Sequence, residues 1–269
     1  MGELKVIHNE SFKKLFFYKK GYIFIFLLIF FYSLYLLATI VQMEGNIYDY
    51  LLQLTELHPM HYGVTPLFLI ALTLFLPPNN IDHYLMIRFK NKTHWYNMQV
   101  FYLGRFTLLF LVIFILVMFL QSFLSLSFHN EWSEFAQLNY IKETGDLKKI
   151  SPLTAAIFSL ILLWFNLFLK SLIFYSAYLI KGSRFFALFI VFLLSELNSV
   201  SLLSYWDNLS VFLPFNYVNV FISLFHGETI FGDFFYGGLI YYLVLSIFFF
   251  IVGLLLFKKS DIEKYKAQW

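Results

Sequence analysis

Six stretches of this chain are apolar over roughly the length that an α-helix needs to cross a bilayer: residues 21–42, 62–76, 101–128, 152–180, 185–204 and 234–257. Each is bounded by charge, Pro or Gly clusters, and a hydrocarbon core about 30 Å thick takes roughly 20 helical residues to span. The second stretch is short. Pro59 and Pro66 flank its start and Pro77-Pro78 close it, so its helix is expected to begin near Pro59 to reach spanning length. Composition points the same way: of 269 residues, 60% are apolar and 13% charged. Soluble domains carry roughly 25% charged residues to cover their surface. The expected class is an all-α integral membrane protein with six transmembrane helices.

The basic residues sort by loop. Fifteen of the nineteen lie before span 1, between spans 2 and 3, in the 4–5 turn or after span 6, while only Lys142, Lys148 and Lys149 fall on the opposite side. By the positive-inside rule both termini are cytoplasmic. Residues 1–20 place Leu4, Ile7, Ser11, Phe12, Leu15 and Phe16 at helical spacing, which predicts an interfacial amphipathic helix rather than a cleavable signal. The spans then occupy 21–257, and 258–269 form a cytoplasmic tail. Residues 209–225 are apolar but broken by Pro214, Asn216 and Asn219. A seventh span there would carry the C-terminal lysines outside, so a re-entrant or surface-lying segment is expected.

Little soluble chemistry is possible. There is no Cys, no Gly-rich phosphate loop and no His-Glu-x-x-His, and a net charge of +3 is too small to point to nucleic acid. His58-Pro59-Met60-His61 reads as an external interfacial loop rather than a metal site, since no third ligand is near in sequence. No catalytic residue, bound metal or cofactor of this chain's own is expected.

Lys170 and Glu196 are the expensive residues, because a charge at the bilayer centre costs on the order of 2.5–3.5 kcal/mol on insertion scales. Lys170 lies 11 residues before Lys181 and Glu196 lies 12 after Arg184. At 1.5 Å per residue both sit roughly 17 Å from the cytoplasmic edge of one helical hairpin. The spacing predicts either an ion pair, with Asn198 and neighbouring hydroxyls as further glue, or a cavity lined by these groups. In the loop 77–100, Asn79, Asn80 or Asp82 can cap a short amphipathic helix carrying Tyr84, Leu85, Arg88, Phe89 and Lys92, which either lies on the membrane surface with Trp95 and Tyr96 at the headgroups or docks a cytosolic partner.

These features resemble the permease subunit of an ATP-binding-cassette transporter of the type-2 export family. The likeness rests on the amphipathic N-terminal segment, the run Met86-Ile87-Arg88-Phe89-Lys90-Asn91-Lys92-Thr93-His94-Trp95 after a Pro-ended span 2, and the partly apolar segment between spans 5 and 6. The resemblance implies a homodimer, or a pair with a related second permease, carrying cytosolic ATPase subunits that hold the ATP and magnesium. It makes the 2–3 loop a coupling helix, with Asp82, Tyr84, Leu85, Arg88, Phe89, Lys90 and Lys92 touching the ATPase. The cargo would be an apolar or amphipathic peptide or drug-like molecule. The Phe-, Ile-, Lys- and Asn-rich usage resembles low-GC bacteria, where such permeases often export or resist antimicrobial peptides. A stand-alone membrane immunity or sensor protein for antimicrobial peptides, and an intramembrane enzyme, remain as alternatives.

Overall fold

The computed structural model describes residues 19–75, 92–137, 150–203, 217–218 and 234–259, and among them every regular element is helical. In chain order these are α1 (Lys19–Gln42), α2 (Ile47–Leu52), α3 (Leu57–Pro59), α4 (Thr65–Phe75), α5 (Lys92–Ser122), α6 (Glu134–Ala136), α7 (Pro152–Lys181), α8 (Arg184–Leu203) and α9 (Phe234–Lys259). Four segments, Gly21–Gln42, Thr93–Ser122, Pro152–Lys181 and Tyr236–Lys259, are long and apolar enough to cross a membrane. Their outer faces carry large bare side chains such as Phe31 and Tyr35 on α1 and Ile247 and Ile251 on α9. Water does not tolerate so much exposed apolar surface, and lipid does. The chain is an all-helical membrane protein.

At the centre stands α7, packed against α9 and α8 and, less extensively, against α2 and α5. Its ends are well specified. The Ser151 side chain caps the first turn by accepting from Thr154 N–H at 3.3 Å, and Pro152 follows where a missing N–H costs nothing. Gly182, at φ 66°, ends the helix in the left-handed region that favours glycine, its N–H donating to Tyr178 O at 2.7 Å. The tight turn then delivers Arg184 directly into α8. Between α7 and α9 the contacts step in fours: Leu162 meets Gly238, and Asn166 Nδ2 donates to the Tyr242 hydroxyl at 2.9 Å.

Two expectations are corrected here. Helix α5 begins at Lys92, so residues assigned to the cytoplasmic loop continue span 3 without a break. Trp95 and Tyr96 consequently face into the bundle, 5% and 0% exposed, rather than outward toward lipid headgroups. The reason is geometric: the Tyr96 hydroxyl reaches Phe250 O at 2.9 Å and fills the space above Gly253, which has no side chain to block it. The second correction concerns span 2. Residues 57–75 run as one helical stretch through α3, a π turn at Met60–Val64 and α4, so His58 and His61 are helical rather than in a loop. Pro59 is compatible with this because it falls in the first turn, where no intrahelical N–H is needed. The N-terminal segment 1–18, the loop 76–91 and the tail 260–269 lie outside the described residues, as does 209–225 apart from Tyr217 and Val218.

The loops after α1 and α5 interlock. Asn46 caps α2 in a reciprocal box with Asp49 while its Nδ2 donates to Glu131 O at 2.7 Å, and Ile47 N–H donates to Ser127 O at 3.2 Å. Trp132 Nε1 reaches Ile150 O at 3.0 Å, tying the same loop to the start of α7. Asp49 is 1% exposed, and this burial raises its carboxyl above the ordinary value, against the lowering effect of the Asn46 N–H and the Ser133 hydroxyl. A carboxyl raised by folding adds stability below its unfolded pKa and loses it as pH rises through the folded value. The unfolding midpoint should therefore fall over that window above the ordinary carboxylate value. Asp49→Asn keeps an acceptor for Asn46 N–H and should flatten the profile. Equal slopes for the two proteins in thermal melts across pH would contradict this account.

Candidate functional site

Span 2 supplies the side chain that organises the polar site. Within the π turn the ring of backbone hydrogen bonds widens, Thr65 N–H reaching back to Met60 O. The turn is braced from outside: the Tyr32 hydroxyl of α1 donates to Pro59 O at 2.9 Å, and its ring tip lies directly on Gly63. Only glycine leaves room for that approach. His61 is thereby held 5% exposed, edge-on to Tyr62 at 4.8 Å between ring centroids and beside Phe192 of α8 at 6.5 Å.

One turn beyond Phe192 on α8, Glu196 meets this imidazole, with His61 Nε2 and Glu196 Oε1 2.8 Å apart. A neutral His61 protonated at Nε2 donates a hydrogen bond to the carboxylate, and a doubly protonated one forms an ion pair. Four residues after His61 and on the same helical face, Thr65 is 1% exposed and its Oγ1 accepts from Lys170 Nζ of α7 at 2.7 Å. Lys170 and Glu196 thus meet different partners. The ion pair, one of the two arrangements expected from their matched depth, gives way to separate contacts with His61 and Thr65 on span 2, which meets both α7 and α8 at this level. Asn166, one turn before Lys170, is 2% exposed and bound to Tyr242, its Oδ1 facing no partner among the described residues.

A second contact fixes the register of span 2 against α8. Arg184 Nη1 donates to Thr73 O at 3.2 Å, joining the last turn of α4 to the first residue of α8. From there, twelve residues back along span 2 and twelve forward along α8 lead to His61 and Glu196. The two helices are therefore antiparallel neighbours, pinned at two heights.

Of the residues singled out from sequence, Lys170 and Glu196 join this site. Asn198 lies on α8 with its side chain outside the described residues, and Lys92 opens α5 in the same condition. Asp82, Tyr84, Leu85, Arg88, Phe89 and Lys90 also lie outside them. Sequence reasoning missed His61 and Thr65. The signal for His61 was present: a span that must start near Pro59 to be long enough already contains position 61. Among the described residues no group of three or more His, Cys, Asp or Glu is placed to hold a metal ion. What the site offers is a primary amine, a carboxyl group and an imidazole, brought together by three helices.

No family model and no solved structure matches the chain. It is similar to the uncharacterized protein BH0177 of Halalkalibacterium halodurans, with 32% identity over 253 residues that cover 94% of this chain and 93% of that protein. This chain belongs to the same family as that protein.

Proposed function

We propose that the chain is the membrane-spanning permease subunit of an ATP-driven exporter in the cell membrane, moving an apolar or amphipathic molecule with ATP hydrolysed by a separate subunit. The observation that carries this reading is the meeting of His61, Thr65, Lys170 and Glu196 from three helices. Ionisable groups at membrane depth are costly, and where they are kept they mark substrate and coupling pathways as well as helix–helix contacts. In this reading the helical stretch 57–75, about 28 Å long, and α8, about 30 Å, cross the bilayer beside the four long apolar helices. That makes six spans with both termini cytoplasmic. The segment between α8 and α9 stays on the outer side, and the loop between α4 and α5 faces the ATPase. A second copy or a related permease completes the transporter.

Gentle solubilisation followed by affinity purification of the intact chain tests the assignment. An ATPase subunit with a phosphate-binding loop is expected in the complex, and replacing Arg88, Lys90 and Lys92 with Ser should release it while leaving the chain in the membrane. Repeated purification of the chain without any ATPase, or an association indifferent to those replacements, would remove the basis for the proposal.

A further inference from the structure

A second feature, on another side of the bundle, concerns lipid rather than cargo. Between α1, α4 and α5 runs a groove with a cavity volume of about 230 Å³. Its chemistry is graded along its length. Tyr22 and Arg105 stand at one end, and Ile29, Phe110 and Ile113 line the other. From Tyr22 to Ile29 is roughly 10 Å along α1 and from Arg105 to Ile113 roughly 12 Å along α5. Ala71 of α4 forms part of the wall and is small enough to leave the groove open.

With both termini cytoplasmic, the orientation proposed above on which this inference rests, the polar end is the cytoplasmic one. Gly21, beside Tyr22, packs near Leu74 at the cytoplasmic end of α4, with a Cβ at that glycine lying 3.5 Å from Leu74 Cδ1. Arg105 is exposed, and its guanidinium lies 4.5 Å from the centre of the Phe101 ring. Among the described residues it forms no ion pair with a carboxylate. A fixed positive charge at the headgroup level, above an apolar slot that deepens toward the bilayer centre, matches an anionic amphiphile. The planar guanidinium fork suits a phosphate oxygen pair, and stacking on Phe101 orients it.

We infer that this groove is a binding site for an anionic phospholipid of the cytoplasmic leaflet, with the phosphate on Arg105 and one acyl chain lying along Ile29, Phe110 and Ile113. The site does not depend on the transport reading. A basic side chain near an anionic membrane surface contributes about 1 kcal/mol, which corresponds to about a fivefold preference over a zwitterionic headgroup.

Native mass spectrometry of the purified full chain, equilibrated with equimolar phosphatidylglycerol and phosphatidylcholine of identical acyl chains, reads that preference. The wild type should retain about five phosphatidylglycerol molecules for each phosphatidylcholine. Arg105→Gln should bring the ratio close to one, and Ile113→Trp, which fills the deep end, should lower retention of both lipids. A wild-type ratio near one would overturn the inference, as would an unchanged ratio in Arg105→Gln. Undiminished total lipid in Ile113→Trp would do so too, and this variant decides the matter if the arginine variant does not fold.

Discussion

Gly63→Ala is expected to destabilise the protein by about 1–3 kcal/mol, the range for overfilling a packed interior. The new Cβ would stand where the tip of Tyr32 now lies. That tip is not free to withdraw, because its hydroxyl is bonded to Pro59 O and its ring packs edge-on against Phe114 at 6.4 Å between centroids. Accommodating the methyl group means breaking the hydrogen bond or reshaping the π turn that holds His61. Thermal unfolding in detergent should show a lower midpoint for Gly63→Ala, partly recovered by adding Tyr32→Ala. An unchanged midpoint would mean that α1 and span 2 do not pack this closely.

The largest asymmetry is expected between the two halves of the His61–Glu196 contact. His61→Leu takes from the Glu196 carboxyl the imidazole it meets at 2.8 Å, and a hydrogen bond to a charged group is worth about 1.5–3 kcal/mol. Glu196→Leu strands an imidazole that can stay neutral, and an unmet neutral group costs about 1–3 kcal/mol. His61→Leu should therefore be the less stable single variant. The double replacement removes the shared contact only once, so its loss should be smaller than the two single losses added together. Interhelical polar contacts in membranes average about 0.6 kcal/mol and reach about 1.7, which sets the expected coupling. Strict additivity would show that the two side chains do not support each other.

How much of this was legible in the sequence differs from element to element. The long helices were readable because hydrocarbon leaves an unbroken apolar record, and the boundaries of α7 and α8 follow from Pro152 and the Lys181-Gly182-Ser183-Arg184 turn. The start of α5 was not, since His94, Asn97 and Gln99 look like loop residues until Tyr96 is seen against α9. Counting residues from charged turns brought Lys170 and Glu196 to one depth, but depth carries no azimuth. Nothing in a one-dimensional count shows that span 2 offers each of them a partner at that level. His61 could have been found by length alone, whereas the π turn could not. It depends on Tyr32 of another helix filling the space that Gly63 leaves.

The two fastenings between span 2 and α8 differ in kind, and their spacing sets a mechanical scale. At the start of α8 Arg184 grips a backbone carbonyl, while further along the helix two side chains meet tip to tip. The arm between them is twelve residues, or about 18 Å. If α8 swings by about 10° about its first turn, Glu196 moves by about 3 Å, more than a hydrogen bond of 2.8 Å survives. A tilt that small would leave the apolar surfaces nearly undisturbed, so the polar contact reports the angle of the helix with far more sensitivity than the packing around it.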